Sequence, residues 1–75
     1  MLYEIWSEGF RVSGETGSKA FKVGEQKAES FEEACDLFVK HNPRYQGSYK
    51  KIEGVPYYWG CRWFDNEADA RKSFG

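Results

Sequence analysis

The segment at residues 57–64, YYWGCRWF, holds the densest group of side chains in the sequence that could bind a ligand. If it is one strand, alternation places Arg62 between Tyr58 and Phe64 on the same face. An arginine framed by rings suits planar or anionic ligands, which it binds by stacking and by paired hydrogen bonds. An arginine lying across a sheet surface explains the same residues. The sequence leaves both interpretations open.

The aromatic surplus extends beyond this segment, since the chain has fourteen aromatic residues among 75. A chain of this size buries only about 60% of its unfolded surface, and each ring can bury roughly 150–250 Å². Many rings are therefore expected to fill the core. The rings that the core does not need predict a contact surface for a host protein or a nucleotide-like small molecule. We expect that surface to use Trp6, Tyr58, Trp59, Arg62 and Trp63.

The segment at residues 40–51 supports a second hypothesis, a nucleic-acid-binding module. It contains cations and tyrosines but no acid, and rings with cations can stack bases and hold phosphates. The residues concerned are Lys40, Arg44, Tyr45, Tyr49, Lys50 and Lys51. The alternative, which we favour, is a solvated loop that balances the mostly acidic stretch at 25–36. The net charge of −1 favours that reading, because nucleic-acid-binding domains are usually basic.

No group of residues resembles a catalytic centre. His41 is the single histidine, and its place near a helix C-terminus favours a capping role. Glu32 and Glu33 are adjacent on a helix and do not face each other. Cys35 and Cys61 lack zinc-site spacing and are expected to be small buried apolar residues. We expect no metal, no cofactor and no enzymatic activity, although carboxylates and tyrosines alone can run some acid–base chemistry.

Two strands are predicted before the first helix. Residues 2–12 are rich in aromatic and β-branched side chains, and Gly9 within them suggests a bulge or a close backbone approach. A glycine-containing turn follows at 13–18. Residues 19–29 return as a second strand, which Gly24 bends or ends. The pair forms a hairpin with a long loop.

A helix is predicted over residues 30–42. Ser30 is the expected N-cap, and Glu33 completes a capping box. Pro43 ends the helix through its effect on the preceding residue. The apolar face consists of Phe31, Ala34, Cys35 and Phe38.

The second half of the chain is predicted as a loop, a strand and a short helix. Residues 43–56 form the loop, with a short strand at 49–52. Residues 57–64 form the third main strand. A terminal helix spans 65–75. One face of the third main strand carries Tyr57, Trp59, Cys61 and Trp63, and the other carries Tyr58, Arg62 and Phe64.

The terminal helix has its own signals. Asp65 or Asn66 caps it, and Glu67 and Arg71 pair across one turn. Ala70 and Phe74 form a narrow apolar stripe.

These elements give a single α+β domain over residues 1–75. The order β-β-α-β-α predicts a small antiparallel sheet with a helix packed on one face. So small a core is often completed by a second subunit, so we expect a homo-oligomer.

Composition predicts a cytoplasmic protein. The opening MLYEIWSEGF has acids where a signal peptide would be basic. No apolar run approaches the roughly 20 residues that span a membrane, so no membrane partner is expected.

Three segments carry a resemblance to known proteins: YEIWSEGFRVSGETG, AESFEEACDLF and WGCRWFDNEADARKSFG. They resemble short uncharacterised proteins encoded by phages and by bacteria that carry mobile elements. The resemblance covers most of the chain and carries over no functional residue. It implies a small intracellular accessory protein acting during phage infection. Such proteins bind and block a host factor, including a defence system, or sequester a small molecule.

Overall fold

The computed structural model describes residues 1–9 and 19–74, which fold around one antiparallel sheet. The strands are β1 (Leu2–Ser7), β2 (Phe21–Lys27), β3 (Tyr49–Ile52), β4 (Val55–Tyr58) and β5 (Cys61–Phe64). Their order across the sheet is β2-β1-β5-β4-β3. Within the described residues, the helices are α1 (Phe31–His41), α2 (Glu67–Phe74) and one 3₁₀ helix (Pro43–Ser48). The predicted α+β class is confirmed.

Helix α1 begins as the sequence predicts. Ser30 is the N-cap, and its hydroxyl accepts a hydrogen bond from the Glu33 N–H at 3.2 Å. The Glu33 carboxylate accepts from the Glu29 N–H at 3.0 Å, one residue earlier than in the usual capping box. At the other end, Asn42 is the C-cap and Pro43 starts the 3₁₀ helix.

The core lies between α1 and the sheet. Ala34, Cys35, Phe38 and Val39 are the buried residues of α1. Trp63 of β5 is 1% exposed. Its ring centroid lies 5.5–6.2 Å from those of four other rings, contributed by Phe38, Tyr45, Tyr49 and Tyr58. Much of the aromatic surplus is therefore core packing.

The predicted strand at 57–64 is wrong in one respect, because it is a hairpin and not a single strand. Strands β4 and β5 meet at a two-residue turn whose φ angles are 56° at Trp59 and 77° at Gly60. The turn pairs Tyr58 with Cys61 and Tyr57 with Arg62. Tyr58 therefore shares a side with Cys61 and Trp63, which is the opposite of the predicted assignment, because the turn changes the alternation.

The predicted short strand at 49–52 is confirmed as β3, but its surroundings are more regular than the predicted loop. Pro43–Ser48 is 3₁₀-helical, and β3 joins β4 through a second tight turn. That turn has φ angles of 51° at Glu53 and 81° at Gly54. Strands β3, β4 and β5 thus form a meander joined by two turns of the same backbone type.

Strand β1 is shorter than predicted and ends at Ser7. The Glu8 N–H still donates to the Arg62 carbonyl at 3.0 Å. The Arg62 N–H, however, donates to the Glu8 carboxylate at 2.8 Å, so the ladder stops there. The predicted strand residues 10–12 and the predicted turn at 13–18 lie outside the described residues.

The sheet is irregular near Gly24, as predicted. Ile5 pairs with Gly24, whereas Trp6 pairs with Lys22, which leaves one extra residue on β2. A Cβ atom on Gly24 would lie 2.7 Å from Cζ of Phe38. Glycine is required there because the strand backbone approaches the α1 side chain so closely.

Helix α2 is capped by Asn66, whose side-chain oxygen accepts from the Asp69 N–H at 2.8 Å. The predicted Glu67–Arg71 pair is present at 2.6 Å. Ala70 is fully buried, and α2 packs against β5, β1 and β2. The side chain of Phe74 lies outside what the structure describes. No helix within residues 1–9 and 19–74 is long and apolar enough to cross a membrane.

Candidate functional site

The five predicted contact residues do not share one surface: four lie on two sides of the sheet and one lies on a turn. We call the side that carries α1 the helix side and the opposite one the far side. Trp63 and Tyr58 belong to the helix side, where their ring centroids are 5.9 Å apart. Trp6 and Arg62 share the far side with Phe64, since Trp6 pairs with Phe64. The Arg62 guanidinium carbon lies 4.7 Å from the Phe64 ring centroid.

Trp59, the fifth predicted residue, sits at the first position of the β4–β5 turn and is 75% exposed. Its φ of 56° is a left-handed conformation that glycine and asparagine adopt far more readily. Holding a bulky residue there costs about 1 kcal/mol or more. Exposure also forfeits most of the benefit of burying its ring. Neither the turn nor the core explains a tryptophan at this position, which makes it a candidate for function.

A pocket of about 420 Å³ opens beside Trp59 on the helix side. The volume lies within the range of about 300–1,000 Å³ seen for ligand sites. Phe21, at the start of β2, is 47% exposed and faces the same space. The described residues that line the pocket are Ser7, Phe21, Tyr58, Trp59 and Cys61. We call it the Phe21–Trp59 pocket.

Chain topology explains why these residues meet. Ser7 at the end of β1 pairs with Phe21 at the start of β2. Ser7 also pairs with Trp63, so Cys61, two residues before Trp63 in β5, lies on the same side. Tyr58 pairs with Cys61 across the turn. The pocket therefore lies where four strand ends converge.

The chemistry of the pocket is apolar. The Ser7 hydroxyl is occupied, because it donates to the Glu8 carbonyl at 3.0 Å. Burial, with a smaller effect of the Glu8 carboxylate, raises the pKa of the Cys61 thiol. A raised pKa keeps the thiol protonated near neutral pH and makes it a poor nucleophile. None of the described lining residues is a cation, so the pocket suits an apolar group better than a phosphate.

The two cysteines differ in burial. Both are free. Cys35 is fully buried in α1, as predicted, and burial, assisted by Asp36, raises its pKa to about 12. Cys61 is only half-buried and faces the pocket.

The predicted basic segment does not form one surface. Tyr45 and Tyr49 are half-buried and belong to the ring cluster around Trp63. The Tyr49 hydroxyl donates to the Asp36 carboxylate at 2.8 Å. Burial, followed by this hydrogen bond, raises the pKa of Tyr49. Both tyrosines therefore contribute to packing on the helix side.

The four cations of that segment point to different places. Lys51 forms ion pairs with Asp36 at 2.9 Å and with Glu32 at 3.1 Å. The guanidinium of Arg44 lies 4.9 Å from the ring centroid of its neighbour Tyr45. Lys40 is in the last turn of α1, and Lys50 faces the far side.

Sequence reasoning missed the part of the pocket contributed by Ser7, Phe21 and Cys61. Their meeting depends on strand register, which no local pattern specifies. One signal was available, because Gly60 interrupts an apolar run, and an isolated glycine in such a run suggests a turn or bulge.

Metal-site geometry is absent from the part of the chain that the structure describes: no three His, Cys, Asp or Glu side chains there are placed to hold an ion. No protein-family model, curated protein or solved structure matches the chain.

Proposed function

We propose that this protein is a small non-enzymatic accessory protein, of phage or mobile-element type, that binds and inhibits a host protein. The Phe21–Trp59 pocket receives an apolar side chain of that partner. One observation carries the proposal: two large rings, 47% and 75% exposed, face the same pocket. The resemblance to phage-encoded proteins supports the host context.

An apolar partner group fits the pocket better than a nucleotide. Tryptophan is enriched among the residues that dominate binding energy, and such residues cluster around well-packed pockets. Burying the exposed parts of Phe21 and Trp59 against a partner removes apolar surface from water, worth about 25 cal/mol for each Å². A nucleotide would need cations for its phosphates, and no described lining residue supplies one.

Inhibition in this scheme is stoichiometric. The protein occupies a surface that its target needs and transforms nothing, so inhibition grows with concentration until every target molecule is bound. The Cys61 thiol, held protonated, contributes packing and no covalent step.

The decisive variant is Trp59→Asn, with Glu53→Asn as its matched control. Both replace the first residue of a tight turn whose φ is near 50–60°, and Asn-Gly is the favoured sequence for such a turn. Both variants therefore keep the fold. Only Trp59→Asn removes a pocket ring.

The experiment is gentle purification of the tagged protein from bacterial cells, followed by native mass spectrometry and by titration against the purified retained partner. We expect the wild type and Glu53→Asn to retain a host protein with equal affinity, and Trp59→Asn to bind at least about tenfold more weakly. Equal binding by Trp59→Asn would overturn the assignment of the pocket. A retained mass of nucleotide size would favour sequestration of a small molecule instead. A bare homo-oligomer that Trp59→Asn dissociates would assign the pocket to self-association.

A further inference from the structure

The far side of the sheet presents a row of three side chains across its last three strands. Lys50 of β3 pairs with Tyr57 of β4, and Tyr57 pairs with Arg62 of β5. Directly paired residues in an antiparallel sheet project to the same side. Adjacent strands lie about 4.8 Å apart, so the backbones of the two cations are about 10 Å apart with the tyrosine midway.

Both cations of the row are exposed. Among residues 1–9 and 19–74, neither forms an ion pair with a carboxylate. Arg62 stacks on Phe64, which orients the planar guanidinium and leaves its N–H edges available. Lys50 differs in this from its neighbour Lys51, whose charge is balanced by Glu32 and Asp36.

The row borders an open depression of about 510 Å³. Lys50 and Tyr57 line it, together with Ser48 and Gly60. A Cβ atom at Gly60 would meet nothing within 4 Å, so the floor of the depression is accessible at that end. Tyr57 is half-buried.

We propose that this row binds single-stranded nucleic acid, with one base stacked on Tyr57 and the two flanking phosphates held by Lys50 and Arg62. Aromatic rings on sheet surfaces stack bases with little sequence preference, and cations track the backbone. Tyr57 is half-buried and lines the depression, so part of its side chain is accessible there. The placement of the charges favours a strand over a free nucleotide. A nucleotide within a strand has phosphates on both sides, whereas a mononucleotide has them on one. This site lies on the opposite side of the sheet from the Phe21–Trp59 pocket and does not depend on it.

The test is a titration of the ¹⁵N-labelled full chain with a deoxythymidine hexamer at low salt, followed by NMR. We expect shifts centred on the three row residues. Because two phosphates are contacted, the plot of log affinity against log salt should have a slope of about −1.4. Arg62→Gln should reduce that slope to about −0.7, and Tyr57→Leu should weaken binding about fivefold or more.

The matched control is Lys27→Gln, which makes the same charge change at the exposed end of β2, on the opposite edge of the sheet from β3, and should leave affinity within about twofold. An equal loss in Lys27→Gln and Arg62→Gln would show that only net charge matters and would overturn the site. Binding of AMP as tight as that of the hexamer would overturn the strand as occupant. Absence of shifts at the row would overturn the proposal. The amide spectrum of each variant verifies folding, so loss of binding is separable from loss of structure.

Discussion

Trp59 and Trp63 are four residues apart and have opposite environments. Trp63 is 1% exposed and contacts four other rings, whereas Trp59 is 75% exposed on a turn. The difference arises from the backbone. Trp63 occupies a regular strand position facing α1, while Trp59 occupies the first position of a tight turn with a φ of 56°. Residue type alone therefore does not distinguish a core ring from a binding ring.

The indole N–H of Trp63 is a second difference between the environments of the two tryptophans. It is buried and has no hydrogen-bond acceptor among the described residues. An unsatisfied buried donor costs about 1–3 kcal/mol, so the apolar contacts of the ring must outweigh that cost. Trp63 stabilises the fold through its contacts with rings, and Trp59 lacks such contacts for most of its surface.

The largest effect is expected from Trp63→Ala. Removing a buried ring costs about 3–5 kcal/mol, and a core of this size supplies about that much in total. We expect the variant to be largely unfolded in the absence of denaturant, as measured by circular dichroism and urea titration. A midpoint equal to that of the wild type would show that the ring cluster is not the centre of the core.

The elements with strong local signals were predictable from sequence. Ser30 and Glu33 specify the start of α1 through hydrogen bonds that need no tertiary contact, and Asn66 does the same for α2. The short strand at 49–52, predicted within a loop, is confirmed as β3. The glycine at position 24 indicated the irregularity of β2 because backbone approach to Phe38 excludes a side chain there.

The turn at Trp59 was not predictable in the same way. Asn-Gly or Asp-Gly would have indicated a hairpin, whereas Trp-Gly inside an apolar run looks like a continuous strand. Missing that turn exchanged the faces of Tyr57 and Tyr58. Without that turn the pocket could not be predicted either, because it forms only when the strand register brings Ser7, Phe21 and Cys61 together. A site assembled from strand ends is a property of the whole sheet.

A smaller effect is expected at the two turns, and it compares them directly. Glu53→Asn relieves the strain of a left-handed non-glycine residue and should stabilise the protein by about 1 kcal/mol. Trp59→Asn gains the same amount but loses the contacts of the quarter of the side chain that is buried. We expect its free energy of unfolding to stay within about 1 kcal/mol of the wild type.

Urea denaturation of both variants beside the wild type measures this difference. A loss of several kcal/mol in Trp59→Asn would mean that Trp59 is a core residue like Trp63, and the contrast between the two tryptophans would disappear.

The smallest effect concerns the ion pairs that join Lys51 of β3 to Asp36 and Glu32 of α1. Hydrogen bonds to Asp36 and Glu32 raise the pKa of Lys51 above its ordinary value of 10.5. A raised folded-state pKa means that Lys51 contributes stability below pH 10.5, and that this contribution is lost as pH rises through the folded-state pKa. The difference in stability between wild type and Lys51→Gln should therefore be constant around neutral pH and shrink above pH 10.5.

Tyr49 is present in both proteins, so its own titration largely cancels. The difference between wild type and Trp59→Asn should not change over that range, because no such ion pair supports the turn. If the difference in stability between wild type and Lys51→Gln did not change with pH, Lys51 would act through its methylene stem. The packing around Trp63 would then rest on apolar contacts alone.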